Sequence, residues 1–185
     1  MKNSLILHGT DATTKDHWFG WLKDELEADG FKVWVPDLPQ ANKQNSKRYN
    51  DFLLAQKDFV IDDETIMIGH SSGAVAILGL LQELPDDVTI KKAILVGAFH
   101  NNDLGWESLE ELFEKPFDFA SIKQHAKQIT FIHSDNDPYI PLEQAEYLAE
   151  KLDGELIILE GQGHFNTGSD PKFTKFPYLL DVIRD

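Results

Sequence analysis

Cysteine is absent from this chain of 185 residues, which excludes disulfide bonds and any chemistry that requires a thiolate. Long apolar runs are absent as well, and none approaches the roughly 20 residues that a membrane-spanning helix needs. The apolar run near the start is too short for a signal peptide. We therefore expect a cytoplasmic protein with no membrane partner.

Basic residues are scarce relative to acidic ones, 17 against 32, which gives a formal net charge of −15. A field of this sign repels polyphosphate, so we expect neither a nucleic-acid partner nor binding to anionic membrane surfaces. Apolar residues make up 42% of the chain and charged residues 26%, as in an ordinary globular protein. The length predicts a single domain over residues 1–185.

Six short apolar runs alternate with longer stretches of helical periodicity. The runs are nearly continuous, which is typical of strands buried on both faces of a parallel sheet. They are SLILHG (4–9), FKVWVPD (31–37), TIMIGH (65–70), KAILVGAF (92–99), ITFIHSD (129–135) and ELIILEG (155–161). This alternation predicts a three-layer α/β/α sandwich on a six-stranded parallel sheet with right-handed crossovers.

Apolar residues at helical spacing predict helices over residues 18–26, 49–59, 142–152 and 176–183. The polar segment LPQANKQNSK (38–47) predicts a surface loop. The stretch over residues 99–127 is the only sizeable insertion, and it fits a short helix bearing Trp106, Leu109 and Phe113.

The segment GHSSG follows the third apolar run and opens an apolar helix. Its pattern, Gly69-x-Ser71-x-Gly73 at a junction from strand to helix, is that of a nucleophile elbow. The register makes Ser71 the candidate nucleophile and places Ser72 at the helix start. The alternative is that both serines merely cap a helix.

Two further groups follow later strands in the order that a serine triad of this architecture requires. Asp135 and Asp137 follow the fifth run, and His164 follows the sixth. A serine hydroxyl needs an imidazole to accept its proton, and the imidazole needs an anion to fix its tautomer. We prefer Asp137 as the anion because it lies farther beyond the strand, whereas Asp135 fits an ordinary turn.

Backbone donors for an oxyanion are expected at two places. One is the N–H of Ser72, and the other comes from the loop after the first strand, at Thr10 or alternatively at Asp11. His8, Gly9, His70, Trp106 and Phe113 are the candidate pocket residues. The aromatic members of this set could instead pack against the sheet edge and touch no substrate.

The remaining histidines, His17, His100, His125 and His133, fit surface or packing positions. No pair of histidines has the spacing of a helical metal motif, and no cysteine is present, so we expect neither a metal nor any other cofactor.

With these motifs, the chain resembles the small retinoblastoma-binding-protein-type serine hydrolases, a compact branch of the α/β-hydrolases. The resemblance runs nearly end to end, and its main segments are LHGTDATTKDHWFGWLKDEL, ETIMIGHSSGAVAIL, PFDFASIK, SDNDPYIP and GQGHF. It implies a minimal α/β-hydrolase fold without a cap domain and the sheet order 2-1-3-4-5-6. It also implies Ser71, Asp137 and His164 as nucleophile, acid and base.

The leading hypothesis is a cofactor-independent, carboxylesterase-like serine hydrolase that acts on small carboxylic esters, with amides or peptides as weaker candidates. The alternative is a hydrolase-fold protein-interaction module whose triad is idle. The absence of an L-x-C-x-E segment argues against retinoblastoma-pocket binding, but it leaves other protein partners open. Haloalkane or epoxide chemistry on this fold places a carboxylate at the elbow, and Ser71 argues against it.

Overall fold

The computed structural model describes residues 2–185 and contains a six-stranded, fully parallel sheet. Its strands are β1 (Asn3–Leu7), β2 (Lys32–Trp34), β3 (Thr65–His70), β4 (Lys92–Val96), β5 (Ile129–Ser134) and β6 (Glu155–Leu159). The order across the sheet is β2-β1-β3-β4-β5-β6, which confirms the expected topology. Strands β1, β3, β4 and β5 are buried throughout, whereas β2 and β6 are partly exposed because they form the edges.

Among the described residues, six α-helices connect or follow the strands. They are α1 (Phe19–Ala28), α2 (Ser46–Leu54), α3 (Ser72–Leu81), α4 (Phe119–Gln124), α5 (Leu142–Leu152) and α6 (Pro177–Arg184), with 3-10 helices at Glu107–Leu112 and Pro171–Thr174. Helix α2 ends before Phe59, which was expected to continue it. Phe59 is buried instead by packing its ring 5.5 Å from that of Trp34.

The helices cover both faces of the sheet and confirm the three-layer sandwich. Helices α1 and α6 pack on one face, together with Trp18 and Phe165, while α2 to α5 pack on the other. The insertion contributes its 3-10 helix to the second face, where Leu109 and Leu112 are buried. Within residues 2–185, no helix combines the length and the apolar character needed to cross a membrane.

Helix α3 lies unusually close to the strands, and two glycines make this approach possible. A Cβ at Gly73 would lie 2.4 Å from the carbonyl oxygen of Leu7 in β1. A Cβ at Gly69 would lie 2.5 Å from the Cα of Ala74 in the helix. Side chains at either position would push the helix away from the sheet, so the glycines fix the depth at which Ser71 sits.

We predict that Gly73→Ala destabilises the fold by about 1–3 kcal/mol, since the added methyl group meets rigid backbone. Gly79→Ala on the same helix is the matched control, because a Cβ there would meet only the side chain of Ser46, at 3.7 Å or more. Helix propensity should make this control neutral or stabilising by up to about 1 kcal/mol. Urea unfolding of both variants measures the difference, and equal stabilities would contradict the steric argument.

Candidate active site

Ser71 occupies the single residue between β3 and α3 in a strained backbone conformation. Its φ and ψ angles are 56° and −126°, in a region that side-chain-bearing residues rarely adopt. Its N–H donates to the carbonyl oxygen of Val96 at 2.8 Å, which ties the turn to β4. The residue is 6% exposed and lines a cavity at the carboxyl ends of the strands.

His164 follows β6 and forms a short hydrogen bond with the carboxylate of Asp137. The distance from His164 Nδ1 to Asp137 Oδ2 is 2.6 Å. The other carboxylate oxygen accepts from the N–H groups of Tyr139 at 2.9 Å and Ile140 at 3.0 Å, and the Asp137 side chain is fully buried. Because Nδ1 donates to the carboxylate, the neutral ring keeps Nε2 as an unprotonated acceptor.

Asp135 lies apart from this pair. Its carboxylate accepts from the N–H of Gly161 at 2.8 Å, and the residue is exposed. The structure therefore places Asp137 at His164. Asp135 lies in the turn directly after β5 and bonds to the loop after β6.

The loop after β1 passes directly beside the elbow. A Cβ at Gly9 would lie 3.0 Å from the Cβ of Ser71 and 3.1 Å from the carbonyl oxygen of His70. The next residue, Thr10, has its Oγ1 atom 3.1 Å from the Oγ atom of Ser72. Within residues 2–185, the backbone N–H groups of Thr10 and Ser72 have no protein acceptor, so both remain available as donors.

The cavity has a volume of about 400 Å³. It is lined by Gly9, Thr10, Asp11, Ala12, His17, His70, Ser71, Trp106, Ser108, Tyr139, His164 and Asn166. Ser71, His164 and the expected pocket residues Gly9, His70 and Trp106 thus share one space.

Two expected pocket residues lie outside this lining. His8 is only 1% exposed, and both its ring nitrogens bond to the backbone. Nδ1 bonds to the oxygen of Gly9 and Nε2 to the N–H of Leu38, each at 2.9 Å. Phe113 packs instead against Phe99 and Phe117, with ring centroids 5.7 Å and 6.0 Å away. The expectation that these two side chains line the pocket is corrected accordingly.

Sequence reasoning missed several lining residues, including His17 and Tyr139. His17 has a φ of 52°, and its Nδ1 atom lies 3.0 Å from Thr167 Oγ1. The ring of Tyr139 lies 5.1 Å from that of His164. Their positions after β1 and after β5 are the available signal, since parallel strands gather such loops at one edge.

His70, the residue before the nucleophile candidate, contacts the backbone of His164. Its Nε2 atom donates to the carbonyl oxygen of His164 at 2.7 Å, and the two rings lie 4.8 Å apart. Burial holds the pKa of His70 well below its usual value, and the nearby His164 and His17 lower it further. His70 therefore stays neutral and serves as a fixed donor to the loop that carries His164.

Comparisons with known proteins agree over nearly the whole chain. A family model described as "Serine hydrolase" matches residues 4–185. YdeN of Bacillus subtilis (strain 168) is 30% identical over 182 residues, covering 98% of this chain and 94% of YdeN. The serine hydrolase RBBP9 of Rattus norvegicus is 28% identical over 179 residues, covering 95% of this chain and 89% of RBBP9. The crystal structure of the B. subtilis ydeN gene product matches with a TM-score of 0.91 at 31% identity, covering 100% of this chain and 97% of that one.

The buried state of His70 predicts a pH dependence of stability. Its pKa in the folded protein lies well below the value of 6.5 expected in the unfolded chain. Below pH 6.5 the unfolded state therefore binds a proton that the folded state does not, and the free energy of unfolding falls. His70→Gln should remove this component, which amounts to at most about 1.4 kcal/mol per pH unit. Urea unfolding between pH 7.5 and pH 5 should show a shallower decline for the variant, and parallel declines would contradict the assignment.

Proposed function

Because the chain belongs to the serine hydrolase family, we propose that it hydrolyses small carboxylic esters with Ser71 as nucleophile, His164 as base and Asp137 as acid. The family resemblance expected from the motifs is confirmed, and the protein is a hydrolase. The observation that carries the finer proposal is the 2.6 Å bond from His164 Nδ1 to Asp137 Oδ2, beside a cavity shared with Ser71.

The first half of the proposed reaction forms an acyl-enzyme. His164 Nε2 takes the proton of Ser71 Oγ as this oxygen attacks the ester carbonyl carbon. The carbonyl oxygen becomes an oxyanion, which accepts hydrogen bonds from the N–H groups of Ser72 and Thr10. When the tetrahedral intermediate collapses, His164 gives its proton to the leaving alcohol oxygen, and the acyl group remains on Ser71.

The second half reverses these roles with water as the nucleophile. His164 removes a proton from the water, whose oxygen attacks the acyl carbon, and the same N–H groups hold the second oxyanion. Collapse returns the proton to Ser71 Oγ and releases the carboxylic acid. Asp137 stays ionised throughout, keeps the imidazole in the required tautomer and stabilises its charge. No cofactor enters either half.

The dimensions of the cavity support small esters as substrates. A volume of about 400 Å³ lies toward the small end of the range for ligand pockets, and the insertion adds one wall at Trp106. The backbone of Trp106 is held by Asn102, whose side-chain amide bonds to both its N–H and its carbonyl oxygen. Tyr139, with its ring 6.2 Å from that of Trp106, forms the adjacent wall. Amides are weaker candidates because an amine is a poorer leaving group.

We predict that Ser71→Ala abolishes covalent labelling by a fluorophosphonate probe and reduces ester hydrolysis by several orders of magnitude, because no other group replaces the nucleophile. Ser72→Ala is the control for register, since the proposed reaction uses its backbone N–H and not its hydroxyl; it should still be labelled. Mass mapping of the labelled peptide locates the modified serine. A label on Ser72, or one that survives Ser71→Ala, would refute the proposal.

We also predict that Asp137→Asn lowers kcat/KM for p-nitrophenyl acetate by about a thousandfold or more, since an amide favours the wrong imidazole tautomer. Asp135→Asn is the matched control. An asparagine there keeps an oxygen for the N–H of Gly161, so activity should stay within a small factor of wild type. A larger loss from Asp135→Asn would transfer the role of the acid to that residue.

A further inference from the structure

Gln44 is a buried amide in a mostly polar segment, residues 38–47. It is 1% exposed, whereas its neighbours Asn42 and Lys43 face solvent. The segment over residues 38–47 was expected to be a surface loop, and burial of this side chain departs from that expectation. A buried amide is costly unless its hydrogen bonds are satisfied, so its partners define its role.

The backbone around Gln44 is anchored to the insertion. The N–H of Gln44 donates to the carbonyl oxygen of Ser108 at 2.9 Å, and Ser46 Oγ donates to the carbonyl oxygen of Leu112 at 2.6 Å. Both acceptors belong to the 3-10 helix that packs on the sheet. The backbone of Gln44 is therefore fixed to the 3-10 helix of the insertion.

The side chain of Gln44 bonds to Thr10, whose hydroxyl in turn contacts that of Ser72, and the N–H groups of Thr10 and Ser72 are the proposed oxyanion donors. Its Nε2 atom donates to Thr10 Oγ1 at 2.5 Å, and Thr10 Oγ1 lies 3.1 Å from Ser72 Oγ. Ser72 is rigid because it begins helix α3. Thr10 follows Gly9 in a loop, and its hydroxyl is held by contacts with both Gln44 and Ser72.

We propose that Gln44 is a positioning residue that fixes the oxyanion site by holding Thr10 against Ser72. This inference rests on the proposed function, because the two N–H groups matter only if an oxyanion forms between them. Oxyanion donors act by being oriented before the reaction, and a displacement of about 1 Å can cost about a hundredfold in rate. Loss of the Gln44 amide should therefore weaken transition-state binding and leave substrate binding nearly unchanged.

The central variant is Gln44→Met, which keeps the length of the side chain and removes its hydrogen-bonding groups. We expect kcat to fall about tenfold or more while KM stays within about twofold. The inhibition constant of phenylboronic acid, which forms a tetrahedral adduct with a serine, should rise in parallel with the loss in kcat. Asn50→Leu is the matched control: it removes another buried amide, which donates to the oxygen of Gly79 away from the cavity, and should leave kcat unchanged.

A double-mutant cycle with Thr10→Val tests whether Gln44 acts through the threonine hydroxyl. If it does, Gln44→Met should have little further effect on kcat in the Thr10→Val background. Additive losses, an unchanged kcat in Gln44→Met, or an equal loss in Asn50→Leu would each overturn the inference.

Hydrogen exchange separates failure of this inference from failure of the proposed function. Gln44→Met should speed exchange of the backbone amides in residues 9–12, and Asn50→Leu should not. Unchanged exchange there would overturn the positioning role even in an active enzyme. A wild-type protein that neither reacts with fluorophosphonate nor hydrolyses esters would refute the proposed function, while the exchange result would still decide whether Gln44 holds the loop.

Discussion

The chain turns from strand β3 into helix α3 within one residue, and the position of Ser71 relative to the other groups of the cavity depends on that turn. Ser71 carries a side chain at a φ of 56°, a conformation that costs about 1–3 kcal/mol. Its N–H bond to Val96 and the close approach of Gly73 to Leu7 hold the backbone in this conformation. The strain is thus maintained by the most deeply buried part of the sheet.

The loop that carries His164 is held from the other side of the same turn. His70 donates to the carbonyl oxygen of His164 at 2.7 Å, and the buried indole of Trp18 donates to that of Phe165 at 2.9 Å. Phe165 has a φ of 53°, so the loop is itself bent sharply between these two bonds. Both donors come from elements beside the elbow. The bond from His70 therefore couples the position of the loop of His164 to the end of β3 at the elbow.

The sequence predicts those features that depend on local pattern or on strand ends. The six strands follow from their apolar runs, and Ser71, Asp137 and His164 are visible because each comes just after a strand. The helix predicted over residues 49–59 extends beyond the end of α2 because periodicity cannot distinguish a buried loop residue such as Phe59 from one on a helix. Gln44 was missed because burial of one amide in a polar segment depends on tertiary contacts that no spacing records.

Three imidazoles meet at the cavity, and their surroundings assign them different roles. Burial lowers the pKa of both His17 and His70, which disfavours their charged forms. Among the three, only His164 forms a hydrogen bond to a carboxylate in the described part of the chain, at 2.6 Å from Asp137. His164 is therefore the ring that faces an anion, as the proposed base must, whereas burial makes the other two rings harder to charge. A site that moves protons through one imidazole requires such a difference between the surroundings of its histidines.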